Sequence, residues 1–273
     1  SDVYKRQAPD PLVGRSIADR YRVDQLLARG TSGRVYKGIQ INWERPVAIK
    51  VLDVAHGGFD IDAARTRFER EAVVLAKLRH PNTVRVIDAG TWEGLDFLVM
   101  ELIPGQTLKT LIDERRFTPL AAVRIARQVC CSLHEAHLHG LVHRDLKPDN
   151  VLLTQGEQGE EQVKVVDFGL VLGLEGIQDV AMVDKIVGSP LYMAPEQIRG
   201  QPVDGRADLY ALGGILFHLL AGRRAFDQDT STAVLMAHLL TPVPALAAVA
   251  HPDAHGAPVV FPPCLEATVA GCM

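Results

Sequence analysis

Residues 143–150 constrain this chain most, because they place several charged and polar side chains between two apolar segments. The stretch reads His-Arg-Asp-Leu-Lys-Pro-Asp-Asn, and residues 138–142 and 151–153 flank it. Apolar segments of this kind favour buried elements, so the sequence predicts a charged loop held between them. Such a loop is a candidate site for binding or catalysis.

The residue types in this loop suit proton transfer and anion binding. Asp145 is a proton acceptor, Lys147 supplies a point cation, and Asn150 supplies an amide ligand. Pro148 stiffens the turn because its ring fixes φ. The alternative is a surface turn that carries charges without a function, and the loop alone does not exclude it.

A predicted hairpin follows the loop and ends in a second acid. Residues 151–153 and 163–166 read as two strands separated by a polar tip, and Asp167 follows the second strand. The hairpin places Asn150 and Asp167 at the same rim. We expect these two oxygen ligands to suit Mg²⁺, which takes few protein carboxylates and keeps waters and phosphates as ligands.

The first half of the chain contains a predicted phosphate-binding turn. Residues 21–27 read as a strand, and Gly30 and Gly33 lie in the turn that follows it. Glycines let backbone N–H groups approach phosphate oxygens, and Val35 would cover a flat base. Alone this signal is weak, since two glycines in a hairpin often mean only a turn.

A lysine interrupts the apolar β-rich run at 46–52. Lys50 therefore needs an anionic partner, and the helical periodicity of residues 65–78 places Glu71 on or beside an apolar face. We expect Glu71 to be the counter-ion, with a merely solvated helix charge as the alternative. Further strands are predicted at 84–87 and 97–100.

The pattern changes from strands to helices along the chain. Residues 101–106 break the β pattern, and residues 120–137 read as a long helix that leads into the central loop. The apolar run at 207–221 is shorter than a membrane span, and we expect a buried helix there. These patterns predict an α+β protein with a mainly β first part and a mainly helical second part.

Charge and cysteine content exclude several classes of protein. The net charge is −4 without a basic run, which argues against nucleic-acid binding through a basic face. The four cysteines do not form a disulfide framework, so a reducing, cytoplasmic setting fits best. The four histidines at 134, 137, 139 and 143 are expected to pack around a helix end rather than to bind a metal.

Six motifs in a fixed order resemble the Hanks-type serine/threonine protein kinases, most closely the bacterial ones. Besides the loop at 143–150, they are the glycine turn at 30–35, Val-Ala-Ile-Lys at 47–50, the helical Glu71, Asp-Phe-Gly at 167–169 and Met-Ala-Pro-Glu at 193–196. The resemblance covers residues 21–273 and includes Asp208 in a later motif. It implies a bilobal kinase fold with an antiparallel β N-lobe at 21–103, a mainly helical C-lobe at 104–273, and ATP bound between the lobes. Residues 1–20 would be a disordered or partly non-native tail.

The resemblance also implies a role for each matching residue. Asp145 would accept the proton of the substrate hydroxyl, Lys147 would hold the γ-phosphate, and Lys50 would hold the other phosphates while paired with Glu71. Asn150 and Asp167 would hold Mg²⁺. The expected ATP-binding residues are Ala28, Gly30, Gly33, Val35, Ala48, Lys50, Met100, Glu101, Ile103 and Leu152. Arg144, Ser189 and Glu196 would serve regulation and the substrate platform.

Three departures from the family pattern affect these expectations. Ala28 replaces the first glycine, which would cost about 1–2 kcal/mol if its backbone were left-handed. Residues 170–188 contain no Ser, Thr or Tyr, so we expect an unphosphorylated activation segment with Asp179 or Asp184 near Arg144. Glu196 lacks the usual late arginine unless Arg223 or Arg224 replaces it, so we expect a truncated, poorly stable C-lobe.

The resemblance implies transfer of the γ-phosphate of ATP to Ser or Thr hydroxyls of protein substrates, with a possible dimer for autophosphorylation. It implies neither nucleic-acid binding nor membrane contact by this segment. The alternatives are a nucleotide-binding pseudokinase scaffold and a small-molecule kinase. Residues 188–196 favour a protein substrate, since in protein kinases they form a platform for a peptide.

Overall fold

The computed structural model describes residues 10–30, 33–52, 61–114, 117–156, 159–168, 190–249 and 261–273. The chain divides into two compact units. The first comprises Ser1–Ala76 and Arg85–Leu102, and the second comprises Lys77–Val84 and Ile103–Met273. The first unit ends after Leu102, and the short segment Lys77–Val84, which lies within its sequence range, belongs to the second unit.

An antiparallel sheet of six strands forms most of the first unit. The elements are β1 Ser16–Ile17, β2 Tyr21–Gly30, β3 Gly33–Gln40, β4 Arg45–Val51, α1 Ile61–Leu75, β5 Val86–Trp92 and β6 Leu95–Glu101. The spatial order of the strands is β1-β2-β3-β4-β6-β5, and helix α1 contacts β5. The strands predicted at 84–87 and 97–100 are present as β5 and β6, both with later ends than expected.

The core of this unit forms on one face of the sheet, because every second residue of a strand points to that face. Tyr21, Val23, Tyr36, Val47, Ile49, Val51, Phe97 and Val99 pack there. Helix α1 buries Phe68, Ala72 and Leu75, which follow the helical spacing read from the sequence.

Residues 10–20 differ from the tail that we expected. They include β1, which pairs with the start of β2, and Leu12 and Ile17 belong to the core cluster of the sheet. Asp10 is buried too. The expectation failed because it relied on the absence of a recognisable motif before Tyr21, whereas tertiary packing orders this segment.

The second unit is mainly helical. Its elements are β7 Gly105–Thr107, α2 Leu108–Glu114, α3 Pro119–Leu138, β8 Val151–Gln155, β9 Glu161–Val165, α4 Pro195–Ile198, α5 Gly205–Ala221, α6 Ser231–Leu240, α7 Leu246–Val249 and α8 Pro263–Cys272. Strands β7, β8 and β9 form a small antiparallel sheet. The chain is therefore α+β, as predicted.

Helices α3 and α5 form the centre of this unit. Thr118 caps α3, since its hydroxyl accepts a hydrogen bond from the Ala121 N–H at 3.2 Å. Helix α5 begins after Asp204 and is capped at its C-terminal end by Gly222, whose φ of 68° suits glycine. Most of α5 is buried, which confirms the buried helix predicted at 207–221. Among the described helices, none has the length and apolar character needed to cross a membrane.

Candidate active site

The loop at 143–150 brings three predicted site residues together in the second unit. The Lys147 ammonium donates to Oδ2 of Asp145 at 2.6 Å. The Asn150 amide donates to the backbone carbonyl of Asp145 at 2.8 Å. Both partners hold Asp145 from within the same short loop. The side chains of Asp145 and Lys147 stay 16% and 21% exposed, so this ion pair is accessible from outside.

Asp208, on helix α5, accepts hydrogen bonds from the backbone of this loop. Its two carboxylate oxygens accept from the N–H groups of His143 at 2.8 Å and Arg144 at 2.9 Å. His137 contacts the same carboxylate through Nε2 at 2.7 Å. Arg144 has a φ of 63°, a left-handed value that is uncommon outside glycine. The buried carboxylate therefore stabilises a strained turn directly before Asp145.

His143 links the loop to the segment that contains Asp167. The ring is fully buried, its Nε2 lies 2.9 Å from the carbonyl oxygen of Val166, and its plane packs on Phe168 at 4.8 Å between centroids. Asp167 itself has a φ of 60°. The sequence predicted a packing role for His143, and these contacts are of that kind.

The hairpin β8–β9 places Asn150 and Asp167 at the same end of the small sheet. Val151 pairs with Val165, and the N–H of Val166 donates to the carbonyl of Asn150 at 2.9 Å. The amide nitrogen of Asn150 faces Asp145, so its amide oxygen faces away. An amide oxygen and a carboxylate on one rim are ligands that Mg²⁺ accepts together with phosphates and water, so the residues fit this ion.

The segment that contains Glu196 contacts the loop through a neighbour. The amide of Gln197 donates to the carbonyl of Arg144 at 2.8 Å and accepts from the N–H of Ala194 at 3.1 Å. Arg224, which the sequence suggested as a partner of Glu196, pairs with Asp227 at 2.9 Å. Glu196 is only half-buried. The penalty expected for a buried unpaired carboxylate is therefore smaller than the sequence suggested.

In the first unit, strand register aligns the predicted nucleotide residues. Val35 on β3 lies opposite both Ala28 on β2 and Lys50 on β4. Ala48 on β4 lies opposite Met100 on β6. Lys50 is 3% exposed, although it carries an ammonium group. A buried lysine requires anionic or polar partners, which agrees with the reasoning that singled it out.

The two glycines of the turn have different structural requirements. Gly33 has a φ of 131°, and a Cβ atom there would lie 2.1 Å from the carbonyl oxygen of Val51. At Gly30 an added Cβ would meet nothing closer than 4.0 Å. Ala28 lies in β2 without a positive φ, so the strain considered for it does not arise.

The remaining predicted residues lie on both units. Glu71 is half-buried on α1, next to the buried Ala72. Glu101 ends β6, and its carboxylate accepts from the N–H of Arg85 at 2.9 Å. Ile103 and Leu152 belong to the second unit, and both are half-buried. Ser189, Asp179, Asp184 and Gly169 lie outside the described residues.

The four histidines near the loop have separate environments. His137 contacts Asp208, His139 contacts the carbonyl of Glu135 at 2.9 Å, and His143 contacts Val166. His134 is exposed. Within the described ranges, no group of three or more His, Cys, Asp or Glu side chains is arranged to hold a metal ion.

Sequence reasoning gave no structural role to Asp208 or Gln197. Asp208 had a detectable signal, since an acid inside an otherwise apolar helix must be satisfied by partners when that helix is buried. Gln197 had no comparable signal, because a glutamine after Met-Ala-Pro-Glu reads as an ordinary helical surface residue.

Comparisons with known proteins identify the fold and the family that this chain resembles. The family model described as protein kinase domain matches residues 21–253. Among solved structures, the kinase domain of PknI from Mycobacterium tuberculosis superposes with a TM-score of 0.67 at 30% identity, covering 89% of this chain and 85% of that one. The α+β kinase fold expected from the motifs is confirmed.

Curated relatives are bacterial serine/threonine-protein kinases. Pkn1 of Myxococcus xanthus is 41% identical over 241 residues, covering 87% of this chain and 34% of the relative. The probable kinase PknB of Lactococcus lactis is 39% identical over 238 residues, covering 86% and 36%. PknL of Mycobacterium tuberculosis is 37% identical, covering 88% and 59%. The chain thus spans about a third to three fifths of the length of these relatives.

Proposed function

Because the chain belongs to the protein kinase domain family, of the bacterial Hanks-type serine/threonine branch, we propose that it phosphorylates Ser or Thr hydroxyls of protein substrates with ATP in bacterial signalling. The observation that carries this proposal is the ion pair between Asp145 and Lys147. Asn150 binds the backbone of Asp145, and Asp208 binds the backbone of the preceding residue. This arrangement presents a carboxylate and an ammonium group side by side at an accessible position.

Asp145 receives the proton in this reaction. The substrate hydroxyl donates a hydrogen bond to the carboxylate, its oxygen forms a bond to the γ-phosphorus, and the bond from that phosphorus to the β-phosphate oxygen breaks. The proton passes to Asp145, and ADP leaves. Catalysis of this type depends mainly on positioning and on neutralising charge, which Lys147 provides at the γ-phosphate.

Residues of the first unit would bind the phosphates and the base of ATP. Lys50 holds the α- and β-phosphates with Glu71 as its counter-ion, and the turn from Gly30 to Gly33 supplies backbone N–H groups. Adenine would contact Val35, Ala48, Met100 and the backbone of Glu101.

Asn150 and Asp167 would hold Mg²⁺. When bound, the ion neutralises phosphate charge in the reaction. The protein would orient these two metal ligands. The Asn150 amide is held by its hydrogen bond to Asp145, and the register of the β8–β9 hairpin places Asp167 near Asn150.

Residues 188–196 would form the platform for a peptide substrate, and the Gln197 bond to the carbonyl of Arg144 supports this assignment. The bond couples the platform to the residue before Asp145. All four cysteines are free thiols, which supports the proposal of a reducing, cytoplasmic setting. A dimer that allows one copy to phosphorylate another belongs to the same proposal.

Transfer of labelled γ-phosphate tests the function. Wild-type protein with ATP and Mg²⁺ should label itself and a generic basic protein on Ser or Thr. Binding of ATP without any transfer would favour the pseudokinase scaffold. Transfer to small molecules but not to any protein would favour a small-molecule kinase.

A further inference from the structure

Asp10 is a buried carboxylate at the centre of a charge cluster beside the glycine turn. Its side chain is 4% exposed, and Oδ2 lies 3.1 Å from Nη2 of Arg29 and 3.4 Å from Nη1 of Arg34. Oδ1 accepts from the Tyr36 hydroxyl at 2.8 Å and from the N–H of Leu12 at 3.1 Å. Four donors from three parts of the first unit therefore converge on one carboxylate.

The two arginines occupy a particular place in the sheet. Arg29 on β2 pairs directly with Arg34 on β3, and the next pair along the ladder is Gly30 with Gly33. Like charges directly opposite each other in an antiparallel ladder repel and destabilise the pairing. This repulsion acts directly before the glycine turn, where β2 pairs with β3 alone, whereas β3 also pairs with β4 through Arg34 and Val51.

Asp10 neutralises this repulsion. Arg34 depends on it most, because its side chain is only 23% exposed and Asp10 is its one charged partner within the described residues. Burial raises the pKa of Asp10, but the hydrogen bonds from Leu12 and Tyr36 and the charge of Arg34 outweigh burial and lower it overall. Asp10 is thus an anion at neutral pH, as the cluster requires.

We propose that Asp10 is a positioning residue for ATP, which holds the strand ends around the glycine turn by pairing with Arg29 and Arg34 across the ladder. This inference rests on the proposed nucleotide role of that turn. The residue itself does not contact the phosphates. It acts through the backbone positions of Gly30 and Gly33, so its loss should weaken ATP binding rather than the use of the protein substrate.

The test compares Asp10→Asn with a matched control in the same sheet. Asp88 also accepts from a tyrosine hydroxyl, Tyr21 at 2.7 Å, and pairs with an arginine, Arg20 at 2.6 Å. Asp88→Asn therefore removes the same kind of carboxylate next to the start of β2, away from the glycine turn. Both variants are assayed well below their melting temperatures.

Asp10→Asn should raise the KM and the Kd for ATP about tenfold, as expected for losing hydrogen bonds to a charged group, while the KM for the protein substrate stays unchanged. Asp88→Asn should lower the melting temperature without changing the KM for ATP. An equal effect of both variants on ATP would overturn the proposal, because it would show a general loss of sheet stability.

A second set of variants tests the electrostatic cause. If Asp10 acts by neutralising the two arginines, adding Arg29→Gln and Arg34→Gln to Asp10→Asn should restore ATP affinity to that of the double arginine variant alone. A triple variant that keeps the whole defect would contradict the mechanism. The Kd for ATP separates this test from the proposed function, since it can be measured even if wild-type protein transfers no phosphate.

Discussion

The backbone N–H of Arg144 donates a 2.9 Å hydrogen bond to the buried carboxylate of Asp208, and Arg144 has a φ of 63°. A left-handed arginine is unfavourable by itself, so the bond and the conformation depend on each other. The residue that follows is Asp145. The position of the predicted proton acceptor is therefore set by a helix residue more than sixty positions later in the chain.

Replacing Asp208 with Asn should lower kcat and stability together. One carboxylate oxygen becomes an NH₂ group that faces the donors His143 or Arg144, which leaves a buried donor unsatisfied at a cost of about 1–3 kcal/mol. Thermal unfolding and the rate of phosphate transfer measure both effects. Asp204→Asn on the exposed start of the same helix is the control and should change neither, since Asn also caps helices well. A fully active Asp208→Asn would show that Asp208 does not set the position of Asp145.

The two glycines of the turn should respond differently to alanine. Gly33→Ala places a Cβ against the carbonyl of Val51 and imposes an unfavourable φ, which should cost at least about 1–2 kcal/mol and raise the KM for ATP. Gly30→Ala meets no obstacle and should have a much smaller effect. ATP titrations and melting curves of the two variants decide the matter, and equal tolerance of both would contradict the described backbone.

His238 should make stability fall in mild acid. Burial lowers the pKa of His238 to about 4, although hydrogen bonds to the backbone of Leu191 and Pro190 act to raise it. Nδ1 of His238 lies 2.7 Å from the Tyr210 hydroxyl. Because the folded pKa is lower than the unfolded value of about 6.5, the unfolded chain binds a proton first as the pH falls. The contribution of neutral His238 to the free energy of unfolding is therefore fully present above pH 6.5, and about 3 kcal/mol of it is lost as the pH falls to 4.

Chemical unfolding at several pH values measures this loss. His238→Gln should flatten the pH dependence between 6.5 and 4, whereas His139→Gln, at an exposed position, should leave it intact. An unchanged slope in His238→Gln would show that other groups cause the acid sensitivity.

Local sequence patterns predicted the parts of the fold that depend on short-range information. The periodicity of strands, the buried helix at 207–221 and the hairpin after Asn150 follow from residue spacing, and the structure shows them. The grouping of Asp145, Lys147 and Asn150 was predictable for the same reason, since all three lie in one loop.

Contacts between distant segments were not predictable in this way. Asp10 meets Tyr36 across 26 positions, and nothing local distinguishes it from a tail residue. The sequence also could not show which of the two glycines in the turn requires glycine, because the obstacle at Gly33 is the carbonyl of Val51 on the neighbouring strand. Such features depend on which segments the fold brings together.

The most direct test of the central proposal is transfer of labelled γ-phosphate from ATP-Mg²⁺ by wild-type protein and by Asp145→Asn. Asn preserves the shape of the side chain but cannot accept the proton of the hydroxyl, so ATP binding should persist while labelling of Ser and Thr is lost. Labelling that continues at the wild-type rate in Asp145→Asn would contradict the proposed role of this residue, and no labelling by the wild type would contradict the kinase activity itself.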